Sequence, residues 1–266
     1  MKISGVVEHF LSRADWVDRD ETVDRIILGD PDKDVGRCVV AWIPSFAAIR
    51  AVVERGVGLL VCHEPTFWDH FDHAPQAKPR CAEKLGFIRR HNLSIVRLHD
   101  TWDRWPEVGI PWAWGRALGL PGPPAEIGNR GYQHRYDIDP VPFDEFAHRI
   151  AAHTAPLGEP TIEVDGAPET LVSKIGIGTG CAVGVPAYLG MGCDCCVLTN
   201  DGSSYWRDVQ RCQDLGIPTI TVDHGTSEEP GMATLARYIN EQVDGLAAEH
   251  LVQGCRFRLV EAADAG

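Results

Sequence analysis

The sequence has no long hydrophobic run and no cluster of basic residues. No apolar stretch approaches the roughly 18–20 residues that a helix needs to cross a bilayer, so we expect no membrane-spanning segment. Residues 1–5 lead into polar sequence without the apolar core of a secretory signal, which indicates a cytoplasmic protein. The 25 Lys and Arg against 38 Asp and Glu give a formal net charge of -13. Without clustered Lys and Arg to neutralise phosphates, we expect no nucleic-acid partner.

The sequence also lacks the cysteine patterns of disulfide frameworks and zinc fingers. Its nine cysteines are an odd number, and without a secretory signal they do not indicate a disulfide framework. Cys193, Cys195 and Cys196 lie close together, but their spacing is not that of a zinc-binding pair, and no second pair lies at zinc-finger distance. Residues 195–198 are better explained as a buried strand in which cysteine acts as a small hydrophobe. A thiolate zinc site or a cysteine-based redox function is therefore the least favoured interpretation.

What the sequence does have is a unit that occurs three times along the chain. Each unit contains an amphipathic helix, a Gly or Asn that ends the helix, a short apolar strand and then a histidine. The units span residues 45–63, 81–99 and 209–224, with strands predicted at 57–62, 93–98 and 217–222. Helices that alternate with short, fully apolar strands indicate mostly parallel sheets flanked by helices. We therefore predict an α/β fold.

The middle of the chain indicates a division into two lobes. The Pro/Gly-rich residues 120–124 are typical of a boundary, and they separate an N-terminal lobe (1–124) from a C-terminal lobe (125–266). The N-terminal lobe contains two of the histidine segments and the C-terminal lobe the third. Beyond the boundary we predict a strand over 132–138 and a helix over 142–155.

Histidine and carboxylate side chains follow the three predicted strands. They are His63 and Glu64, His99 and Asp103, and His224 and Glu228. Because ligands gather at the carboxyl ends of parallel strands, we expect these side chains to meet in one cleft, at one sheet edge or at matching edges of two sheets. Each motif alone also fits a simpler role, since Asp103 or Ser227 could cap a helix and Glu64 could be solvated.

Together the three motifs indicate a metal site. A mixed set of imidazole and carboxylate ligands suits Zn, Fe, Mn or Co better than Ca or a thiolate-bound ion. The set exceeds what one tetrahedral ion needs, so two ions about 3.5–4 Å apart are the better explanation.

These segments resemble the family of Nif-three-like proteins, which are hexameric dinuclear-metal proteins also called GTP cyclohydrolase I type 2 homologues. The resemblance covers nearly the whole chain. It rests on Gly-Asp-Pro-Asp at 29–32, Val-Cys-His-Glu-Pro-Thr-Phe-Trp at 61–68, His-x-x-x-Asp at 99–103 and Asp-His-x-x-x-Glu at 223–228. The second segment matches the hallmark of the family, which is usually a His-His-Pro run followed by an aromatic residue.

By position, the resemblance implies two divalent metal ions per subunit, of Zn, Fe or Mn. The ligands that it implies are His63, Glu64, Asp103, His224 and Glu228. It further implies that Asp103 bridges the two ions and that a bridging water is the nucleophile. His99 would be a nearby acid/base group or a residue that orients a ligand. The resemblance also implies two similar α/β lobes and a homo-oligomer, a hexameric ring built as a trimer of dimers.

The sequence departs from the family at two places. Glu64 stands where the family usually has His, and its carboxylate adds negative charge, which shifts the preference of the site toward Mn, Fe or Mg or loosens one ion. Residues 42–45 replace an expected Asp-containing strand end with Trp-Ile-Pro-Ser, which indicates a changed substrate contact.

Two functions are compatible with these features. The family label implies a metal-dependent hydrolase that acts on a nucleotide-like small molecule, and the alternative is a non-catalytic metal-binding scaffold or metallochaperone. Tryptophans near the ligand segments could stack on a base, although most of them would fill a core or a subunit interface; they are Trp68, Trp102, Trp105, Trp112 and Trp114. For a phosphate, the candidates are Arg97, Arg104 and the glycine loop at 176–180.

Overall fold

The computed structural model describes residues 1–72 and 81–260, which form two β-sheets flanked by helices. The first sheet contains β1 (Arg25–Leu28), β2 (Arg37–Ala41), β3 (Leu59–Cys62), β4 (Ser94–Arg97) and β11 (Ala247–His250). Their order is β1-β4-β3-β2-β11. β1 is antiparallel to β4, and all other neighbours in this sheet are parallel.

The second sheet is parallel at its centre and antiparallel toward its edges. It contains β5 (Glu126–Gly128), β6 (Gln133–Pro142), β7 (Glu163–Asp165), β8 (Leu171–Ile177), β9 (Cys195–Thr199) and β10 (Thr219–Val222), in the order β5-β6-β8-β9-β10-β7. β8, β9 and β10 run parallel, whereas β5, β6 and β7 join by antiparallel pairing. The prediction of an α/β fold is confirmed, and Cys195 and Cys196 lie in a buried strand as expected.

Helices cover both sheets. They are α1 (Ile3–Leu11), α2 (Phe46–Glu54), α3 (Cys81–Arg90), α4 (Asp100–Asp103), α5 (Ile110–Ala117), α6 (Phe143–Thr154), α7 (Val185–Gly190), α8 (Gln210–Leu215) and α9 (His224–Gln242). Within residues 1–72 and 81–260, none of these helices combines the length and the apolar composition that crossing a bilayer requires.

The first helix–strand unit shows how local sequence produces this arrangement. Ser45 begins α2, because its side chain accepts a hydrogen bond from the backbone N–H of Ala48 at 3.1 Å. Ile49 and Val52 form the buried face of the helix. Gly56 adopts a left-handed conformation with φ of +65° just after the helix, which turns the chain into the fully buried strand β3.

Alternating side chains of the first sheet pack into two separate cores. Cys38, Val40, Leu59 and Val61 pack against one face, together with residues of α1 and α9. Val39, Ala41, Leu60 and Cys62 pack on the opposite face, together with residues of α2 and α3. Because both faces are covered, the central strands β2, beyond Arg37, and β3 are apolar and carry no alternation of polar and apolar residues.

The last helix connects the two sheets. α9 begins next to the end of β10 in the second sheet and packs its residues Met232, Leu235 and Ile239 into the core of the first sheet. The chain then forms β11, which pairs in parallel with β2. The C-terminal segment is therefore part of the first sheet, and the lobe boundary near residue 125 stays a prediction.

Candidate metal centre

The ends of β3, β4 and β10 bring the six predicted site residues together. Nε2 of His63 lies 3.3 Å from Oδ1 of Asp103 and 3.5 Å from Oε2 of Glu228. On the other side, Nε2 of His224 lies 3.0 Å from Oε2 of Glu228 and 3.3 Å from Oε1 of Glu64. The ring of His99 stacks on that of His63 with centroids 4.3 Å apart. Residues from both sheets thus form one cluster, as the positions of the histidines after the strands predicted.

The three histidines share one pattern of hydrogen bonding. Nδ1 of His63 faces the carbonyl oxygen of Leu98 at 3.2 Å, a group that can only accept. Nδ1 of His99 lies 2.9 Å from Oδ1 of Asp100, and Nδ1 of His224 lies 2.9 Å from Oδ2 of Asp201. An acceptor at Nδ1 fixes the proton there and leaves the Nε2 lone pair available, which is the usual arrangement of metal-binding histidines.

Two of the Nε2 atoms are buried without a hydrogen-bond partner. Among the residues that the structure describes, neither Nε2 of His63 nor Nε2 of His224 has a partner of acceptable geometry. A buried polar atom without a partner is costly in a native protein, so it calls for an ion or a water. Ligand atoms of His63, His99 and Asp103 lie within 4.8 Å of one another, and so do those of His63, Glu64 and Glu228. These donor sets fit a divalent metal ion.

Charges in the cluster shift the pKa values of its members. Burial opposes a charged imidazole, but the carboxylates of Asp103 and Asp100 raise the pKa of His99 to about 10. Burial also works against charge on Glu64, yet the neighbouring imidazoles of His224 and His63 hold its pKa far below the usual range. Without metal, protons on the imidazoles offset the charge of the carboxylates, and a divalent cation would supply the same compensation.

The start of α9 places His224 and Glu228 on the same face of the helix. The side chain of Asp223 accepts a hydrogen bond from the backbone N–H of Gly225 at 3.0 Å and so caps the helix. The indole N–H of Trp42 donates to Oε2 of Glu228 at 2.8 Å. Trp42, the first residue of the segment 42–45 in which we expect a changed substrate contact, therefore holds a candidate ligand in place.

The glycine loop approaches the cluster rather than leaving space for a phosphate. A Cβ atom on Gly180 would lie 2.4 Å from Oε1 of Glu228 and 2.9 Å from Nε2 of His224. Gly180 also has φ of +52°, a backbone conformation that residues other than glycine rarely adopt. This residue is glycine because the loop lies directly against two candidate ligands.

Asp24 fixes the segment that carries His99 and Asp103. It is 2 % exposed and lies just before β1. Its carboxylate accepts hydrogen bonds from the backbone N–H groups of His99, Asp100 and Thr101, at 2.6 to 2.9 Å, and from the Thr101 hydroxyl. Asp24 thus caps the short helix α4 from a distant part of the chain, a role that no local sequence pattern indicates.

A buried arginine lies behind Glu64. Arg97 ends β4, is 0 % exposed and donates from Nε to the carbonyl oxygen of His63 at 2.7 Å and from Nη1 to the carbonyl oxygen of His70. Its Nη2 lies 3.8 Å from Oε2 of Glu64. Arg97 is therefore a structural counter-charge and is not placed to contact a phosphate in the cleft.

The cluster opens into a cleft of about 720 Å³. Its walls include Trp68, Asn129, Arg130 and Tyr132, and Trp68 is 64 % exposed. The core-filling interpretation holds for Trp102, Trp105 and Trp114, which are at most 8 % exposed. Arg104 lies over the ring of Tyr132 and donates to the carbonyl oxygen of Trp16.

Asp201 is a site residue that the motifs did not identify. It follows β9 as the histidines follow their strands, so the rule of polar residues at strand ends would have found it. Its Oδ2 accepts from His224 and lies 3.6 Å from Sγ of Cys181, a second cleft residue.

We expect Asp201→Asn to weaken metal binding at His224 by about 10- to 100-fold, because the imidazole loses the carboxylate that fixes its tautomer and orientation. Competition of the metal-free protein with a coloured chelator measures the affinity. Asp244→Asn removes an exposed carboxylate outside the cleft and is the matched control. Equal affinity in the wild type and in Asp201→Asn would show that Asp201 does not orient the ligand.

Comparisons with known proteins show a family and a shared fold. Residues 1–254 match the family model described as Duf34/NIF3 (NGG1p interacting factor 3). The fold is similar to that of the Staphylococcus aureus hypothetical protein SA1388, with a TM-score of 0.79, 15% identity and coverage of 98% of this chain and 99% of that chain. It is also similar to a Bacillus cereus protein related to NIF3, with a TM-score of 0.76, 11% identity and coverage of 98% and 99%.

A third similar structure is reduced HcgD from Methanocaldococcus jannaschii, with a TM-score of 0.69, 16% identity and coverage of 94% of this chain and 98% of that chain. At these identities the structural similarity shows a shared fold alone. No curated protein matches the chain in sequence.

Proposed function

The chain belongs to the Duf34/NIF3 family, and we propose that it is a dinuclear metal-dependent hydrolase that acts on a nucleotide-like small molecule. The observation that supports this proposal is the convergence of His63, His99 and His224 on three carboxylates at the base of an open cleft. The site has more potential ligands than one ion needs, and a substrate can reach it. These properties fit catalysis better than a closed structural site.

The candidate ligands divide into two neighbouring subsites. We define the inner subsite by His63, Asp103 and His99, and the outer subsite by Glu64, His224 and Glu228. Oε2 of Glu228 lies near histidines of both subsites, whereas Asp103 lies between His63 and His99. This arrangement supports Glu228 as the bridging ligand, whereas Asp103, the bridge that the resemblance implies, contacts histidines of the inner subsite alone. Two bound ions would lower the pKa of a shared water and polarise the attacked carbon.

His99 has two candidate roles. The family resemblance gives it an acid/base role, whereas its Nδ1 contact with Asp100 matches the contacts that orient the other two imidazoles. Nδ1 of His99 also lies 3.2 Å from Oδ2 of Asp103. That geometry favours His99 as the residue that orients the carboxylate of Asp103. An acid/base role would require Nε2 of His99 to stay free of metal.

The residues that line the cleft favour a flat substrate that carries little negative charge. Trp68 and Tyr132 offer aromatic surfaces, and Arg130 is the cation among the described residues that line the cleft. Five carboxylates also line the cleft, those of Glu64, Asp69, Asp103, Asp201 and Glu228. The ions themselves would therefore have to neutralise most of any phosphate charge. The hexameric assembly, a trimer of dimers, stays a prediction from the resemblance.

A non-catalytic metal-binding scaffold or metallochaperone is the second candidate function. The observation that favours it is that Arg97 and Arg104, the arginines proposed for phosphate binding, are held by backbone carbonyl groups. Exchange of metal-bound water with solvent, measured by the relaxation of water protons on a Mn-loaded sample, distinguishes the two. A catalytic site needs an exchangeable water, and a closed scaffold site has none.

Elemental analysis of the purified chain tests the metal proposal. We expect about two divalent ions per chain in the wild type, as in two-metal hydrolases, and loss of both ions in the His63→Ala, His224→Ala double variant. His148→Ala, a change at an exposed histidine of α6, should keep both ions. A wild-type chain that binds no metal even after incubation with divalent ions would contradict the proposal. Two ions per wild-type chain, lost in the double variant, would justify a screen for nucleotide hydrolysis.

A further inference from the structure

One residue, Trp42, contacts four of the candidate ligands. Its carbonyl oxygen accepts hydrogen bonds from the backbone N–H groups of His63 and Glu64 at 3.0 and 2.9 Å. Its indole N–H donates to Glu228, and its ring packs on the imidazole of His224 with centroids 5.4 Å apart. Two of these ligands follow β3 in the first sheet, and the other two lie in α9. Trp42 therefore links the ligands of two separate elements.

A side chain from near the end of the sequence fixes the residue after Trp42. β2 ends at Ala41, so among the described residues no strand pairs with Ile43. The N–H of Ile43 donates to Oε1 of Gln253 at 2.8 Å, and Nε2 of Gln253 donates to the carbonyl oxygen of Ile43 at 2.8 Å. The side-chain amide thus makes both hydrogen bonds that a residue of an adjacent antiparallel strand would make.

The tail segment, which we define as residues 250–254, is itself fixed to α9. The buried carboxylate of Glu229 accepts hydrogen bonds from the backbone N–H groups of Gln253 and Gly254 at 3.2 and 3.3 Å. Nε2 of His250 lies 2.7 Å from the same carboxylate. Hydrogen bonds to an ionised carboxylate are stronger than those between neutral groups. Glu229 therefore fixes the main chain from which the amide of Gln253 extends.

We infer that Gln253 is a positioning residue of the metal centre. Its amide fixes Ile43, this contact orients Trp42, and Trp42 keeps the ligands of β3 and α9 at the spacing that an ion requires. The hydrogen bonds of Gln253 go to Ile43 and Glu229, so it acts on the ligands through Trp42. The inference rests on the proposed metal-binding function, because the groups that Trp42 contacts are candidate metal ligands.

Hydrogen exchange of the metal-free chain tests the contact without a metal. Gln253→Met keeps the length of the side chain and removes both hydrogen bonds of the amide. We expect about five- to tenfold faster exchange of the backbone amides of His63 and Glu64, because hydrogen bonds that oppose local opening around Trp42 are lost. Gln242→Met, a change at an exposed glutamine at the end of α9, should leave that exchange unchanged.

Metal affinity tests whether the contact acts on the centre. We expect Gln253→Met to weaken the binding of Zn²⁺ by about tenfold, the lower end of the usual effect of groups that orient metal ligands. The absorption spectrum of bound Co²⁺ should change in the same variant, since it reports the geometry of the ligands. Gln253→Asn shortens the side chain by one methylene, so it should lose the same contacts and behave as Gln253→Met does. Thermal melting of each variant confirms that it is folded.

A Trp42→Phe background identifies the route by which Gln253 acts. This substitution removes the indole N–H that donates to Glu228. Gln253→Met should therefore weaken Zn²⁺ binding less in this background than in the wild type, as expected of coupled residues. Equal effects in the two backgrounds would mean that Gln253 acts through Glu229 and α9, which would overturn the inference.

The outcomes separate the inference from the proposed function. Unchanged exchange and unchanged Zn²⁺ affinity in folded Gln253→Met would overturn the positioning role and leave the metal centre in place. A wild-type chain that binds neither Zn²⁺ nor Co²⁺ would overturn the metal centre, and with it the role of Gln253 there.

Discussion

Replacing Asp24 with alanine is expected to lower the free energy of unfolding by about 3–5 kcal/mol, because it leaves a cluster of buried donors without an acceptor. The carboxylate accepts from three consecutive backbone N–H groups, those of His99, Asp100 and Thr101, and from the Thr101 hydroxyl. No water can replace it easily, since Asp24 is 2 % exposed. Urea unfolding, followed by circular dichroism, measures the change.

The same substitution should also impair the inner subsite. Without its cap, α4 would lose the orientation that places His99 and Asp103 beside His63, so the folded fraction of Asp24→Ala should bind the inner ion less tightly. Glu21→Ala is the matched control, since Glu21 is an exposed carboxylate three residues earlier, and its effect should stay within about 0.5 kcal/mol. A variant as stable as the wild type would show that Asp24 is not the cap of this segment.

The sequence predicts the fold and the site best where one local pattern marks both a buried strand and the site residue that follows it. The helix–strand–histidine units predicted α2 with β3, α3 with β4 and α8 with β10, because buried parallel strands are short, apolar and bounded by helix stops. A histidine that directly follows a strand lies at the carboxyl end of that strand. Because ligands gather at such ends, we expect His63, His99 and His224 to meet in one cleft, and the structure places them in one cluster.

The contacts that complete the site depend on distant parts of the chain. Asp24 lies 75 residues before His99, and Trp42 lies 186 residues before Glu228. A single sequence shows no periodicity or spacing that would pair such residues. Asp201 is different, since it follows a buried strand as the histidines do, and this position in the sequence marks it as a candidate.

The edge strands β11 of the first sheet and β7 of the second sheet are also hard to predict. β11 has the sequence Ala-Ala-Glu-His and a partly exposed pattern, so it shows none of the apolar character of the central strands. It pairs with β2 because α9 returns the chain to the first sheet. β7 is equally short and polar and lies at a sheet edge, where burial does not constrain the sequence.

Replacing Arg97 with methionine is expected to destabilise the metal-free protein by about 3–5 kcal/mol, the usual cost of leaving one partner of a buried ion pair alone. The substitution keeps the volume and apolar stem of the side chain. It removes the counter-charge of Glu64 and the donors to the carbonyl oxygens of His63 and His70. Arg55→Met is the control, since its ion pair with Glu249 is exposed and should contribute at most about 1 kcal/mol.

A double-mutant cycle and a metal titration identify the source of the effect. If Arg97 balances the charge of Glu64, then Arg97→Met combined with Glu64→Gln should be less destabilised than the sum of the two single variants, by about 0.5–3 kcal/mol. Saturation with Mn²⁺ should reduce the effect of Arg97→Met, because an ion in the outer subsite supplies the missing positive charge. Additive single variants and a loss that Mn²⁺ leaves unchanged would mean that Arg97 acts through its backbone contacts alone. Glu64 would then bind metal without a protein counter-charge.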